Sequence, residues 1–407
     1  VSSSTRKKKK YEHQQGEDMR IETTGWHSAP RCNRLGRTLL ATAVASACAL
    51  PALAQAQTQL LPGLTIYGRV NVSYERITTD DSSDTAAQPN QSNLDVVDNS
   101  SRIGFRGRKE LTPGLFGHFQ IESRVRLDNG GDTFSSRDSY AGLEGSFGNA
   151  RLGRTIGPVY YATYDYISMH NHDTGTSADA LLAPTIFGNQ GFMNNTLWYT
   201  SPKFGPFTVD VAYSLLSGTA TNPTPRVNGM SQQSYLGLVG AYDQGPLHAA
   251  VSYAQTKNEN DLDTGPGTSG NDDKAYTIGG LYDFKSFVVG ALFERAESKT
   301  FTSGDLSRNY YRVSAMMPVG KHEFHVNIGV VDGRLDADLG SDGAKQWTLA
   351  YNYNITKETK LYAFYTTVDN DTNGNYGGAV FGANQGVVAV TNGLNIQSIA
   401  VGVRHNF

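Results

Sequence analysis

The sequence predicts an all-β chain, sixteen antiparallel strands closed into a transmembrane β-barrel. Three observations carry this. Apolar and polar residues alternate with period two through segment after segment. The connections alternate between tight turns and long polar loops. The chain ends on "NIQSIAVGVRHNF", which alternates up to a final aromatic, Phe407. Termini normally fray and are polar, so a strand of this kind is built to pair to its last residue.

Composition agrees. The 407 residues include 44 Gly, 22 Tyr and 17 Phe, and 18% are charged. Length alone would suit two or three soluble domains, but abundant Gly, Tyr, Thr and Asn with few Leu suits short strands and polar loops. No run of eighteen apolar residues exists, so a membrane-spanning helix is not expected.

The N-terminus reads as an export leader. Arg31, Arg34 and Arg37 precede the apolar "TLLATAVASACALPALAQAQ", which ends in small residues at Ala52, Ala54 and Ala56. Cleavage is expected after Ala54 or Ala56, with Ala56 the better fit, dividing the chain into 1–56, an upstream tail and signal peptide, and 57–407, the barrel. The run "RKKKK" lies upstream of Met19 and reads as a solvated tail. Both cysteines, Cys32 and Cys48, leave with the leader, so the mature chain has no disulfide, metal thiolate or catalytic cysteine. It is also net acidic, which argues against nucleic acid as a partner.

Along the mature chain, Ile66, Gly68, Val70, Val72 and Tyr74 share one face and Thr65, Tyr67, Arg69, Asn71 and Ser73 the other. The same sorting recurs in "FTVDVAYSL", "PLHAAVSYA" and "QWTLAYNYN". Helical spacing would scatter these sets around a cylinder. Sixteen such segments fall near 64–76, 101–110, 114–127, 136–146, 150–155, 196–202, 205–216, 233–243, 246–256, 274–284, 286–297, 308–318, 322–334, 344–354, 360–369 and 396–407. Short turns recur at "ELTPGL", "GSFGNA", "SPKFGPF", "YDQGPL", "DFKS", "MPVGKH" and "NITKETK"; longer loops fill 77–100, 155–195, 257–273 and 370–395. One trimmed end and one ornate end is how an outer-membrane barrel is arranged. A soluble sandwich also alternates. Here, however, Tyr and Phe gather near strand ends, and the opposite faces carry Arg, Asp and Asn, too polar for a dry core. The first and last strands can pair to close the sheet, as lipid requires.

The stretches "LTIYGRVNVSYE", "SRIGFRGRKELTPGLFGHFQIES", "RDSYAGLEGSFGNARLGR", "TLWYTSPKFGPFTVDVAYS", "TKLYAFYTTV" and "VGVRHNF", in this order, resemble a Gram-negative general-diffusion porin of the β-proteobacterial kind. The resemblance implies a sixteen-stranded homotrimer in the bacterial cell outer membrane, in contact with lipid and lipopolysaccharide. It implies delivery by periplasmic chaperones, with the terminal strand and its Phe407 as the signal to the barrel-assembly machinery. It also implies a non-enzymatic, cofactor-free, water-filled channel for passive diffusion of small hydrophilic solutes and ions.

In this family the third long loop folds inward and narrows the pore. The resemblance assigns that role to 155–195, whose acids are Asp165, Asp173 and Asp179. A basic cluster on the wall faces the loop; by motif Arg102 in "SRIGF", Arg137 in "RDSYAGL" and Arg154 in "LGR" match it, and strand parity adds Arg69, Arg124 and Arg126. Many relatives carry another Arg before the strand that begins "NNTLWYTSP"; here Phe192 and Met193 stand there. The expectation is therefore a weakly anion-selective or nearly unselective pore. In "MHNHD", His170 and His172 are expected to tune the constriction with pH. The His-x-His-Asp pattern is a possible ligand set, but in a flexible polar loop no metal is expected. No Walker-type, Gly-x-Ser-x-Gly or His-Glu-x-x-His motif is present. Two alternatives stay open: a substrate-specific channel on the same barrel, marked by saturable block, and a surface adhesin or structural barrel, marked by negligible conductance.

Overall fold

The computed structural model describes residues 58–61, 63–81, 91–182, 192–215, 232–259, 272–300, 304–332, 341–378, 380 and 391–407. The leader expected at 1–56 lies outside them. Eighteen strand segments make sixteen staves of one closed antiparallel sheet. A stub, β1 (Thr58–Leu61), is followed by β2 (Leu64–Asp81), then by β3 (Gln91–Asp98) and β4 (Arg102–Thr112), two halves of a single stave that both pair with β2. The remaining staves are β5 (Leu115–Arg124), β6 (Ser139–Gly145), β7 (Gly148–Ile156), β8 (Phe192–Thr200), β9 (Phe207–Leu215), β10 (Gln232–Gln244), β11 (Leu247–Glu259), β12 (Asp272–Asp283), β13 (Val288–Thr300), β14 (Gly304–Val319), β15 (His322–Val331), β16 (Ala344–Asn354), β17 (Thr359–Asn370) and β18 (Leu394–Asn406). Each pairs with the next, and β18 returns to β2 in register from Leu394↔Asp81 to Asn406↔Arg69.

All sixteen expected segments are strands. The one architectural difference lies in 77–100, expected as a loop. There β2 runs on to Asp81, and "QSNLDVVD" pairs back onto it as β3. Arg76 bonds Ser92 across this extension, and of the apolar residues of β3 only Leu94 and Val96 point outward, too short an alternation to mark the strand from sequence.

The faces sort as the alternation demands. On β9, Phe207, Val209 and Tyr213 are exposed while Thr208, Asp210, Ala212 and Ser214 are buried. On β16, Trp347 and Leu349 point out and Gln346, Thr348 and Asn352 point in. Exposed apolar surface on every such stave is untenable in water and natural against acyl chains. Aromatic rings form a belt near the short turns, with Phe207–Tyr242 at 5.2 Å, Tyr282–Phe284 at 4.6 Å and Phe324–Tyr351 at 5.4 Å. A second belt lies further along the strands, with Tyr253–Tyr276 at 5.3 Å, Phe293–Tyr311 at 5.1 Å and Trp347–Tyr365 at 5.0 Å. Two interfacial girdles flank the apolar band.

The seam explains the terminal aromatic. Gly68 and Phe407 exchange backbone hydrogen bonds of 2.9 and 3.1 Å. The Phe407 ring lies over Gly68, where an added Cβ would meet the ring at 2.4 Å and the Arg102 carbonyl at 2.6 Å. The ring fills the space a side chain would take, a pairing that protects a strand glycine. Gly68→Val therefore forces strand or ring aside. It is expected to cost about 1–3 kcal/mol and to lower the temperature at which the folded band disappears on a semi-native gel.

Candidate functional site: the loop against the inner wall

After β7 the chain leaves the wall at Gly157 and runs along the inward faces of the strands through two short helices, α1 (Pro158–Ala162) and α2 (Tyr164–Ile167), and a 3-10 turn, Ala178–Leu181. Pro158 opens α1, where its missing N–H costs nothing. Ser177 caps the 3-10 turn by accepting from the Asp179 N–H at 3.1 Å.

Two sets of anchors hold this loop. Near its start, the Tyr161 hydroxyl donates to Asp138 at 2.5 Å, and Tyr166 stacks on His248 with centroids 3.5 Å apart. Further on, β14 and β16 supply donors for loop carbonyls that would otherwise be buried unpaired. Arg308 donates to Leu181 O at 2.9 Å, Tyr310 to Ala178 O at 3.1 Å, Arg312 to Thr176 O at 2.8 Å and Gln346 to Gly175 O at 2.8 Å. Glu294 of β13 pairs with Arg308 at 3.1 Å and accepts from the Tyr164 hydroxyl; both members of that ion pair are 2% exposed. The apolar core sits here, between loop and wall: Tyr164, Ile167, Ala178 and Leu181 of the loop pack with Leu292, Tyr310 and Val331.

Opposite these anchors the loop meets a knot of charge. Asp173, whose backbone φ of +79° is a left-handed conformation that Asp tolerates better than most residues, presents its carboxylate to Arg69 at 3.2 Å and Arg102 at 3.7 Å. Arg102 also reaches Glu122 at 3.8 Å, and Arg137 bonds Glu122 at 2.5 Å. Tyr67 donates to the other Glu122 oxygen at 2.9 Å. Arg404 completes the group, donating to Asn171 of the loop at 3.0 Å. Burial disfavours the Asp173 charge, but His172, Arg102, Arg137 and Arg69 outweigh it and hold the carboxyl well below the usual range.

His172 sits among the loop's three acids, 3.6 Å from Asp165, 3.9 Å from Asp173 and 3.7 Å from Asp179. The Tyr160 hydroxyl lies 2.6 Å from His172 Nε2 and donates to Asp179 at 2.5 Å. Burial opposes the imidazolium, yet Asp165, Asp179 and Asp173 prevail against it and against Arg69, and His172 is raised above its ordinary value. Asp179 is raised by burial and by Asp173 and Asp165, with His172 and the Tyr160 bond opposing. The sign follows: the His172 charge is present below its raised pKa and is lost as pH rises through it. Anion preference should fall from neutral to alkaline pH, and His172→Asn should flatten that dependence in zero-current potentials.

The expected residues thus divide. Arg69, Arg102, Arg137, Asp165, Asp173, Asp179 and His172 lie in one connected cluster. Arg154 sits apart, donating to Ser136 O at 3.1 Å and Asn194 at 2.5 Å. Phe192 lies between Arg154 and Arg137, whose guanidinium carbons are 5.3 and 5.0 Å from its ring centre. Arg124 sits beside Asp98 at 3.8 Å and Arg126 beside Asp128 at 4.0 Å. His170 has different surroundings from His172. It is buried, with Thr176 at 3.0 Å from Nδ1 and the His325 ring at 5.1 Å. Burial, His325 and Lys360 hold it well below its usual pKa. Sequence reasoning does not single out Glu122, Glu294, Arg308, Arg312 or Arg404. Strand parity does mark the arginine pair, since Arg308, Tyr310 and Arg312 share one face of "RNYYRVS".

Comparison with known proteins agrees with this architecture. A family profile described as Gram-negative porin matches residues 41–373. The outer membrane porin protein 32 of Delftia acidovorans is 29% identical over 91% of this chain and 99% of its own length. An outer membrane porin protein of Bordetella pertussis is 24% identical over 91% of this chain and 100% of its own. Among solved structures, an anion-selective porin from Comamonas acidovorans superposes with a TM-score of 0.69 at 27% identity, covering 84% of this chain and 99% of that one. A closed sheet of sixteen staves, an apolar outer band between aromatic belts and a profile match over most of the chain lead to one conclusion: the protein belongs to the Gram-negative porin family of the outer membrane.

Proposed function

We propose that this general-diffusion porin passes small hydrophilic solutes and ions with a weak preference for anions, and that Arg69, Arg102 and Arg137, with Asp173 and Glu122, form its selective zone. The observation that carries the proposal is the convergence of Arg69 and Arg102 on the one loop carboxylate of Asp173, with Arg137 and Arg404 alongside. Guanidiniums cannot be titrated away near neutral pH, and charges at the narrowest point set ion preference. The preference is weak because Glu122, Asp165 and Asp179 stand close by and an aromatic, Phe192, occupies the place of a further cation. Arg154, Arg124 and Arg126 extend the positive lining on either side of the zone. The anion selectivity in the name of the Comamonas protein supports the same sign.

We extend the proposal to biogenesis and assembly. The chain is exported with removal of 1–56 and escorted by periplasmic chaperones. Its last strand, ending at Phe407, is read by the barrel-assembly machinery, and it matures to a homotrimer among lipid and lipopolysaccharide. Proteoliposome swelling tests the transport reading. Uncharged sugars up to a size limit should enter without saturation, and small organic anions should enter somewhat faster than cations of equal size. Entry of one solute alone, with saturation, would replace a diffusion pore by a substrate-specific channel.

A further inference from the structure

A second loop, between β17 and β18, also reaches the pore loop through part of its described residues. The Gly377 N–H donates to Ala180 O of the 3-10 turn at 2.8 Å. Tyr376 and Val380 are 7% and 4% exposed and belong to the same apolar cluster as Leu181, Leu292 and Tyr310. Asn370, the last residue of β17, ties the stretch down. Its amide donates to Tyr376 O at 3.1 Å and Leu394 O at 2.7 Å, and its carbonyl accepts the Tyr376 N–H at 2.9 Å.

A loop at the mouth of a barrel would ordinarily leave its backbone to water. Here backbone donor, aromatic ring and aliphatic side chain all turn toward the 3-10 turn that carries Asp179. That turn is therefore gripped from two directions: Arg308 and Tyr310 on the wall hold its carbonyls at Leu181 and Ala178, and Gly377 holds the carbonyl of Ala180. We infer that Asn370, Tyr376 and Gly377 form a strap that positions the pore loop, and that this second loop, with the wall, sets the aperture and steadiness of the channel. The inference rests on the diffusion-channel reading. The residues touch no solute; they act through the placement of Asp179 and, through the Tyr160 hydroxyl, of His172.

Single-channel recording of the purified full-length protein tests it. Asn370→Ala removes three hydrogen bonds. Each is worth roughly a factor of five in an equilibrium, so brief substates of altered conductance should occupy at least about tenfold more of the open time. Thr372→Ala, at an exposed position of the same loop, should leave the record unchanged. Tyr376→Ala serves as a second variant should Asn370→Ala not fold, and heat-modified gel mobility verifies the barrel in each case. Folded variants of Asn370 and Tyr376 with wild-type steadiness would overturn the strap. Absence of stepwise current from the unmodified protein would instead overturn the channel reading.

Discussion

Arg102→Glu should turn the channel cation-selective. Arg102 is shared between Asp173 at 3.7 Å and Glu122 at 3.8 Å, so reversing its charge removes one cation from the knot and adds a third carboxylate to it. At an effective dielectric near 20, two unit charges 4 Å apart interact by about 4 kcal/mol; pore water and salt reduce what a permeating ion feels to about 1 kcal/mol. That is roughly fivefold in the anion-to-cation permeability ratio, enough to reverse a weak preference. Zero-current potentials in a salt gradient read it directly. Arg102→Lys should keep the sign, because a point charge suffices for a field even where the fork geometry is lost.

Breaking the Arg308–Glu294 pair should have the largest effect on the loop itself. In Arg308→Met, the Glu294 carboxylate stays buried with only the Tyr164 and Thr277 hydroxyls, and Leu181 O loses its donor. Removing one partner of a buried pair typically costs about 3–5 kcal/mol because the other charge is left uncompensated. The expected result is a lower urea midpoint and a noisy, larger conductance. Adding Glu294→Gln removes the orphaned charge and should restore most of the midpoint. If the double variant is no more stable than the single one, the loss comes from packing and not from charge.

These two arginines also show where sequence reasoning stops. The staves are legible because each buries one face and wets the other, so β9 and β16 can be read from alternation alone. The seam is legible from the two ends, although the fit of Phe407 over Gly68 needs coordinates. Arg102, Arg137 and Asp173 come from motifs that resemble a family. Arg69 comes from parity, and it lies 3.2 Å from Asp173. Arg308 and Arg312 have the same parity signal, but alternation says only that a side chain faces inward, never what it will touch there. Which carbonyl of a long loop meets which arginine depends on the loop's path. That path is set by Pro158, Ser177 and the left-handed Asp173 acting together, and no period marks it. His170 and His172 are two residues apart, yet burial beside His325 and Lys360 lowers the pKa of one while Asp165, Asp179 and Asp173 outweigh burial and raise that of the other. Their spacing gives no hint of that division. The extension in β3 escapes for another reason: only Leu94 and Val96 alternate outward in it, too short an apolar run to stand out from the polar residues around it.

The central claim is an open, water-filled barrel whose narrowest zone carries a small excess of positive charge. The most direct measurement is the single-channel record of the refolded trimer in a planar bilayer across a potassium chloride gradient. Discrete, ohmic steps with a zero-current potential modestly displaced toward chloride are predicted. Steps displaced clearly toward potassium would contradict the charge assignment, and a bilayer that stays silent would contradict the hollow cylinder itself.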